Sequence, residues 1–296
     1  MSLLNPKNLF NHVFELHKRD TFRILLPFMM IIGLVASIFV YINNLYNVKS
    51  LELIKISEAK VFFTVLGFAL SALLVLRINT AYERWWEGRK LWGTLITTTR
   101  NFAIQINVIL PQEEITIRNR LHALICNYIH VTEDHLRNKF DQNGIEECDV
   151  LTFEEIQAAE HKPNRIARQL LFEIRNLESM KMISSIDFLI LNENLKSYTE
   201  TTGACERIKK SPIPASYSRF FKKFLFFYIV CIMYAFSSYY GYLGIIPILL
   251  VFYTFASLVL ISEEIEDPFG VDAHDLPTHE FVTEIKKNLR DILSNK

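Results

Sequence analysis

The sequence predicts an all-helical membrane protein with four spans and a helical extramembrane portion. Three observations predict it. Residues 224–261 run 38 positions without a charged side chain, residues 24–42 are almost wholly apolar, and residues 61–76 add sixteen more uncharged positions. No stretch alternates apolar and polar residues for long enough to suggest a sheet. Half of the residues are hydrophobic, and 32 basic side chains balance 32 acidic ones, so no charge excess points to nucleic acid. Cys126, Cys148, Cys205 and Cys231 lie far apart in sequence, without the paired spacing that zinc or a redox dithiol needs, and read as free thiols in a reducing compartment.

The first span, 24–42, follows 23 residues of mixed charge and lacks a small-residue cleavage site, so it is expected to stay as an anchor. The second, 61–76, passes without a turn cluster or proline into an amphipathic pattern that reaches residue 101. One long helix is expected to leave the membrane there. Tyr82, Trp85, Trp86 and Trp92, mixed with Arg77, Arg84, Arg89 and Lys90, fit a helix crossing the headgroups. After Pro111 a helix is predicted over 115–140, where Leu121, Leu124, Ile125, Tyr128 and Ile129 recur at helical spacing. The loop Asp141-Gln142-Asn143-Gly144 ends it. Thr152 with Glu155 makes a capping box for a short helix to 160, and Pro163 precedes a striped helix over 164–180. Ser184 or Ser185 caps a further helix to 200.

As one helix, residues 224–261 would reach about 57 Å, nearly twice a hydrocarbon core of about 30 Å, so they form two spans, 224–236 and 245–261. Tyr239, Tyr240, Gly241, Tyr242, Gly244 and Pro247 supply the break. A last helix follows Pro277, with Phe281, Ile285, Leu289 and Ile292 on one stripe. The chain thus divides into 1–110 with spans one and two and the start of the long helix, 111–218 as the cytoplasmic helical region, 219–261 as a membrane hairpin and 262–296 as a cytoplasmic C-terminal segment. Lys18, Arg19 and Arg23, the group 77–90, and Arg219, Lys222 and Lys223 flank the spans on one side, against Lys49, Lys55 and Lys60 on the other. By the positive-inside tendency both termini face the cytoplasm, in the cell (inner or plasma) membrane.

There is no nucleophile elbow, paired-histidine zinc motif or phosphate-binding glycine loop, and no enzyme is expected. The eight histidines are dispersed and read as solvated or capping residues. Polar groups in the spans are few: Ser37, Thr64, Ser71 and Thr254. None is an ionisable group of the kind that proton-coupled transporters bury.

Three motifs remain: Arg77 to Gly93 (RINTAYERWWEGRKLWG), Gly203-Ala204-Cys205-Glu206-Arg207-Ile208 with Pro212-Ile213-Pro214, and Glu266-Asp267-Pro268-Phe269-Gly270 followed by Asp275-Leu276-Pro277. With the four spans and the length, they make the whole chain resemble the bestrophins, including their prokaryotic members. The resemblance implies a homopentameric channel in the lipid bilayer for small monovalent ions, with span two lining the pore. Anions such as chloride come first and sodium or potassium second; a non-conducting scaffold is the remaining reading. It places the pore neck at Phe68, Ala72 and Leu76, which share one helical face, and a cytoplasmic aperture at Ile186. Relatives carry a bulkier residue where this chain has Ala72. In eukaryotic members an aspartate run after span four binds calcium. Here Glu264, Asp267, Asp272 and Asp275 could contribute to such a metal site, although Val271, Ala273 and His274 interrupt the run and helix capping or basic partners account for the same carboxylates.

Overall fold

The computed structural model describes residues 21–45, 56–272 and 274–293. Lys18, Arg19, Lys49 and Lys55, which entered the orientation argument, lie outside the described residues. Among the described residues every regular element is helical: α1 Thr21–Leu45, α2 Ile56–Ile109, α3 Ile115–Leu136, α4 Phe153–Ala158, α5 Lys162–Ser179, α6 Ser185–Lys210, α7 Ala215–Tyr240, α8 Ile245–Glu266 and α9 Thr278–Leu293. Single 3-10 turns lie at Gln142–Gly144 and Gly241–Gly244. The chain forms two compact units, Met1–Glu83 with Ile213–Glu266, and Arg84–Pro212 with Asp267–Lys296.

In the first unit α1 packs on α7 and α8, and α7 packs on α8. Leu25, Ala36, Leu70, Leu74, Phe221, Leu225, Ile229, Ile248 and Val259 form its core. Most other large apolar side chains point outward, among them Met30, Leu34, Phe62, Phe226, Ile246 and Leu250. That is the reverse of a water-soluble surface and suits a hydrocarbon solvent. Among the described residues three segments are long and apolar enough to cross a membrane: Thr21–Leu45, Val61–Ile109 and Ala215–Glu266. The third is divided by the turn at Gly241–Gly244, where Gly241 takes φ +58°, a conformation that a residue with a Cβ rarely adopts. Pro247 lies inside the first turn of α8, where its missing N–H costs no helical bond, so the interruption is the work of the glycines. Ser37, Ser71 and Thr254 return their hydroxyls to carbonyls four residues earlier, leaving no polar demand on the lipid side.

The second unit is built around α3, which packs on α5, α6 and α9. The sequence shows one apolar stripe on α3, yet the helix is buried on nearly all sides, including Asn127, His130, Thr132, Glu133 and Asp134. Such burial requires partners. Asp134 accepts from the Asp141 backbone at 2.6 Å and pairs with Lys139 at 3.1 Å, and Glu133 pairs with Arg137 at 2.7 Å. The Thr152–Glu155 capping box forms as predicted, and α6 starts at the Ser184 cap. α5 begins two residues before the predicted 164, at Lys162, because a proline in the first helical turn is tolerated. α6 passes the predicted end at 200 and stops at Lys210, just before Pro212; Arg207, Lys209 and Lys210 in its last turn suit the negative end of the helix dipole.

Gly144 has a steric reason to be glycine: a Cβ there would overlap the His130 ring. Gly144→Ala is expected to cost about 1–3 kcal/mol by overpacking. A thermal melt of the purified protein reads it as a lowered midpoint, and an unchanged midpoint would show that the loop moves aside freely.

Candidate functional site

Phe68, Ala72 and Leu76 lie on one face of α2, and all three are exposed in the single chain, Phe68 by 75 % and Leu76 by 59 %. The opposite face is buried through Leu70 and Leu74. The Tyr228 side chain of α7 reaches over Gly67, where a Cβ would stand 2.7 Å from its hydroxyl.

At the C-terminal end of this strip Arg77 is buried, with 1 % exposure, rather than lying among the interfacial basic residues expected from the sequence. Its Nε donates to Ser262 Oγ at 2.9 Å and its Nη2 to Glu263 Oε1 at 3.0 Å. Lys222 reaches the same carboxylate oxygen at 2.8 Å. Residues from α2, α7 and α8 therefore meet in one charged cluster at the ends of the apolar segments.

Ile186 is 70 % exposed on the first turn of α6. The reciprocal cap beneath it is tight: Ser184 Oγ accepts from the Asp187 N–H at 3.1 Å and the Asp187 carboxylate accepts from the Ser184 N–H at 3.0 Å. These Ser184 bonds hold the Asp187 carboxyl below its ordinary range. The apolar side chain is thus displayed from a rigid helix start.

Among the acidic residues named from sequence, Glu264 is on the last turn of α8. Asp267, Asp272 and Asp275 belong to the turn that follows. Asp267 accepts from the Phe269 N–H at 3.3 Å, and Asp275 accepts from the Asp272 N–H at 2.6 Å. Leu276 donates its N–H to Pro268 O at 2.9 Å and closes the turn around Phe269, which is buried.

The parts of the three motifs that belong to the second unit converge there. A Cβ on Gly88 would lie 3.2 Å from both the Phe269 ring and the Pro268 ring, and Trp85 Nε1 donates to His274 O at 2.9 Å. Arg84 donates to the carbonyls of Ile208, at 2.7 Å, and Ser211. The motifs are therefore packing and capping motifs. They join the extension of α2 to the end of α6 and to the turn before α9.

Sequence reasoning missed two histidine clusters. His135 and His161 both bring Nε2 to Glu206 Oε1, at 3.1 and 2.7 Å, and His122 Nδ1 lies 3.1 Å from Glu146 Oε2 beside Cys126. His130 is buried against the Asp141–Gly144 loop, so the expectation of solvated or capping histidines holds for His161, which caps α5, and not for His130. Burial lowers the His135 imidazole despite the nearby carboxylate. The Glu206 carboxyl, though partly buried, is held low by His161 and Lys210. The one local signal was His122-x-x-x-Cys126, a single helical turn; Glu146, Glu206 and His161 are too distant in sequence to register in any spacing.

Residues 2–291 match the family described as Bacterial/Fungal Bestrophin protein. A protein of Nostoc sp. strain PCC 7120, named voltage-dependent anion channel-forming protein alr2987, is 29 % identical over 261 residues, covering 86 % of this chain and 83 % of its own. Another of Mesorhizobium japonicum, voltage-dependent anion channel-forming protein mll4386, is 32 % identical over 216 residues, covering 72 % and 69 %. The crystal structure of a bacterial bestrophin homolog from Klebsiella pneumoniae superposes with a TM-score of 0.81 at 26 % identity, over 92 % of this chain and 99 % of that one.

Proposed function

The chain belongs to the family of bacterial and fungal bestrophins, and from that membership we propose that it is a bestrophin-type channel passing small monovalent ions, anions ahead of cations. One observation carries the reading: the strip Phe68, Ala72 and Leu76 is apolar, open and set on a helix whose other face is buried. An exposed phenylalanine in line with an exposed leucine takes either lipid or another copy of the chain as its covering surface, and the family membership favours another copy. Copies of the chain around an axis supply it, turning the strip into three rings at the centre, and the bestrophin resemblance supports five of them. An apolar constriction conducts only when wetted, which makes it a gate. Ile186 forms the second constriction. The rings carry no charge, so the preference for anions rests on the two relatives named as anion channel-forming proteins.

In this arrangement α1, the first part of α2, α7 and α8 span the cell membrane, with both termini in the cytoplasm. Calcium is a candidate ligand of the turn after α8, where it would compete with backbone N–H groups for Asp267 and Asp275.

The test is the reversal potential of the purified protein in a planar bilayer under an asymmetric sodium chloride gradient, with and without calcium. Reversal near the chloride equilibrium value is expected; reversal near that of sodium would overturn the anion preference, and a calcium-independent current would remove the calcium role. Ala72→Phe is expected to abolish most of the current while native mass spectrometry still finds five chains. An unchanged current would sink the assignment of this face to the pore, and a monomer or dimer would sink the assembly.

A further inference from the structure

We propose that His122, Cys126 and Glu146 form a zinc-binding site in the second unit. His122 and Cys126 stand one turn apart on α3, so their side chains share a face. Glu146 arrives from the connection after the Gln142–Gly144 turn, and Asn127 clamps its backbone from the same helix. The Asn127 amide donates to Glu146 O at 2.8 Å and accepts from the Glu146 N–H at 2.7 Å.

The candidate ligand atoms lie within 4.8 Å of one another. His122 Nδ1 is 3.1 Å from Glu146 Oε2 and 4.0 Å from Cys126 Sγ. A tetrahedral zinc ion with bonds of about 2.0–2.1 Å to nitrogen and oxygen and about 2.3 Å to sulfur separates nitrogen from oxygen by about 3.3 Å and from sulfur by about 3.6 Å. The two Nδ1 contacts therefore differ from ligand edges by a few tenths of an ångström, and a turn of the His122 ring, whose Nε2 now lies 3.7 Å from Cys126 Sγ, brings Nδ1 toward the sulfur. Glu146 Oε1 is buried and accepts no hydrogen bond, although the Arg290 guanidinium lies 3.7 Å from it as an ion pair. Cys126 is fully buried, whereas His122 and Glu146 keep some exposure, which leaves an entry and a fourth position for water.

One thiolate, one imidazole and one carboxylate suit zinc rather than the hard, oxygen-seeking calcium or magnesium. The two anionic ligands neutralise the dication. Burial, reinforced by Glu146, keeps the metal-free Cys126 a thiol, while Lys286 and Arg290 from α9 favour the thiolate. Zinc thus takes the thiolate and the thiol proton leaves to solvent. The other cluster is less suited. His161 Nδ1 accepts the Asn164 N–H at 3.2 Å, so the neutral ring carries its proton on Nε2, the atom that faces Glu206. Lys210 holds the second Glu206 oxygen at 3.2 Å.

The test uses the full-length protein stripped with a chelator and titrated with zinc alone, then with cobalt as a spectroscopic substitute. One equivalent of zinc per chain, release of protons and a thiolate-to-cobalt charge-transfer band are expected. The band should vanish in Cys126→Ser and persist in Cys148→Ser and His161→Ala. Asn127→Ala removes no ligand and should weaken zinc by about 10–100-fold through its loss of positioning. A native protein that takes up cobalt without the band, or takes up no metal, overturns the proposal without reliance on any variant. So does zinc binding kept by Cys126→Ser and lost in His161→Ala.

Discussion

Replacing Glu263 with glutamine is expected to destabilise the first unit by about 3–5 kcal/mol, because it leaves a buried guanidinium without its counter-charge. Arg77 keeps Ser262 as a neutral acceptor, but its Nη1 has no hydrogen-bond partner even in the native chain. Most of the compensation for burying the charge therefore comes from the carboxylate. Lys222, the other cation on Glu263, is more than half exposed, so Lys222→Ala should cost no more than about 1 kcal/mol. Removing both charges, as in Arg77→Met with Glu263→Gln, should recover much of the loss, since no buried charge is then left unpaired. Thermal melts of these variants in one detergent separate the cases. Equal shifts for Glu263→Gln and Lys222→Ala would mean that the Arg77 pair does not anchor these helices.

The second large effect is expected at Phe269. Its ring is buried against Gly88, and the turn that carries it is closed by Asp267, Asp275 and Leu276. Phe269→Ala removes a fully buried aromatic and leaves a cavity, at about 3–5 kcal/mol. Gly88→Ala acts on the same contact from the other side. Its new methyl would sit 3.2–3.3 Å from the Pro268 and Phe269 rings, so the neighbours need give only slightly and the cost should be smaller. Limited proteolysis within 84–212 reports on this unit. Cleavage of Phe269→Ala at the wild-type rate would show that the turn does not hold the unit together.

These two contacts illustrate what was legible in the chain. Phe269 and Gly88 stand out in their motifs, yet nothing in either stretch says that one packs on the other. Arg77 reads as one more basic residue beyond an apolar span, because its partners at 262 and 263 lie on a different helix. Of the zinc-type cluster, the His122–Cys126 turn is visible and Glu146 is not. The strip at Phe68, Ala72 and Leu76 is a regular spacing of four that any membrane helix can show, and its exposure distinguishes it from a packing face only once the neighbouring helices are in place.

The helical class, the apolar segments, the hairpin break and the helix starts at Thr152 and Ser184 can all be read from the chain without its fold. These are local properties: hydropathy, a period of 3.6 and hydrogen bonds between residues a few positions apart set them. The tertiary structure alone decided that α3 is buried almost all round, that Arg77 is paired with Glu263, that the three motifs meet, and that Phe68, Ala72 and Leu76 stay open. Each of these depends on which distant helix covers a face, and periodicity records only that a face is apolar, not what lies against it.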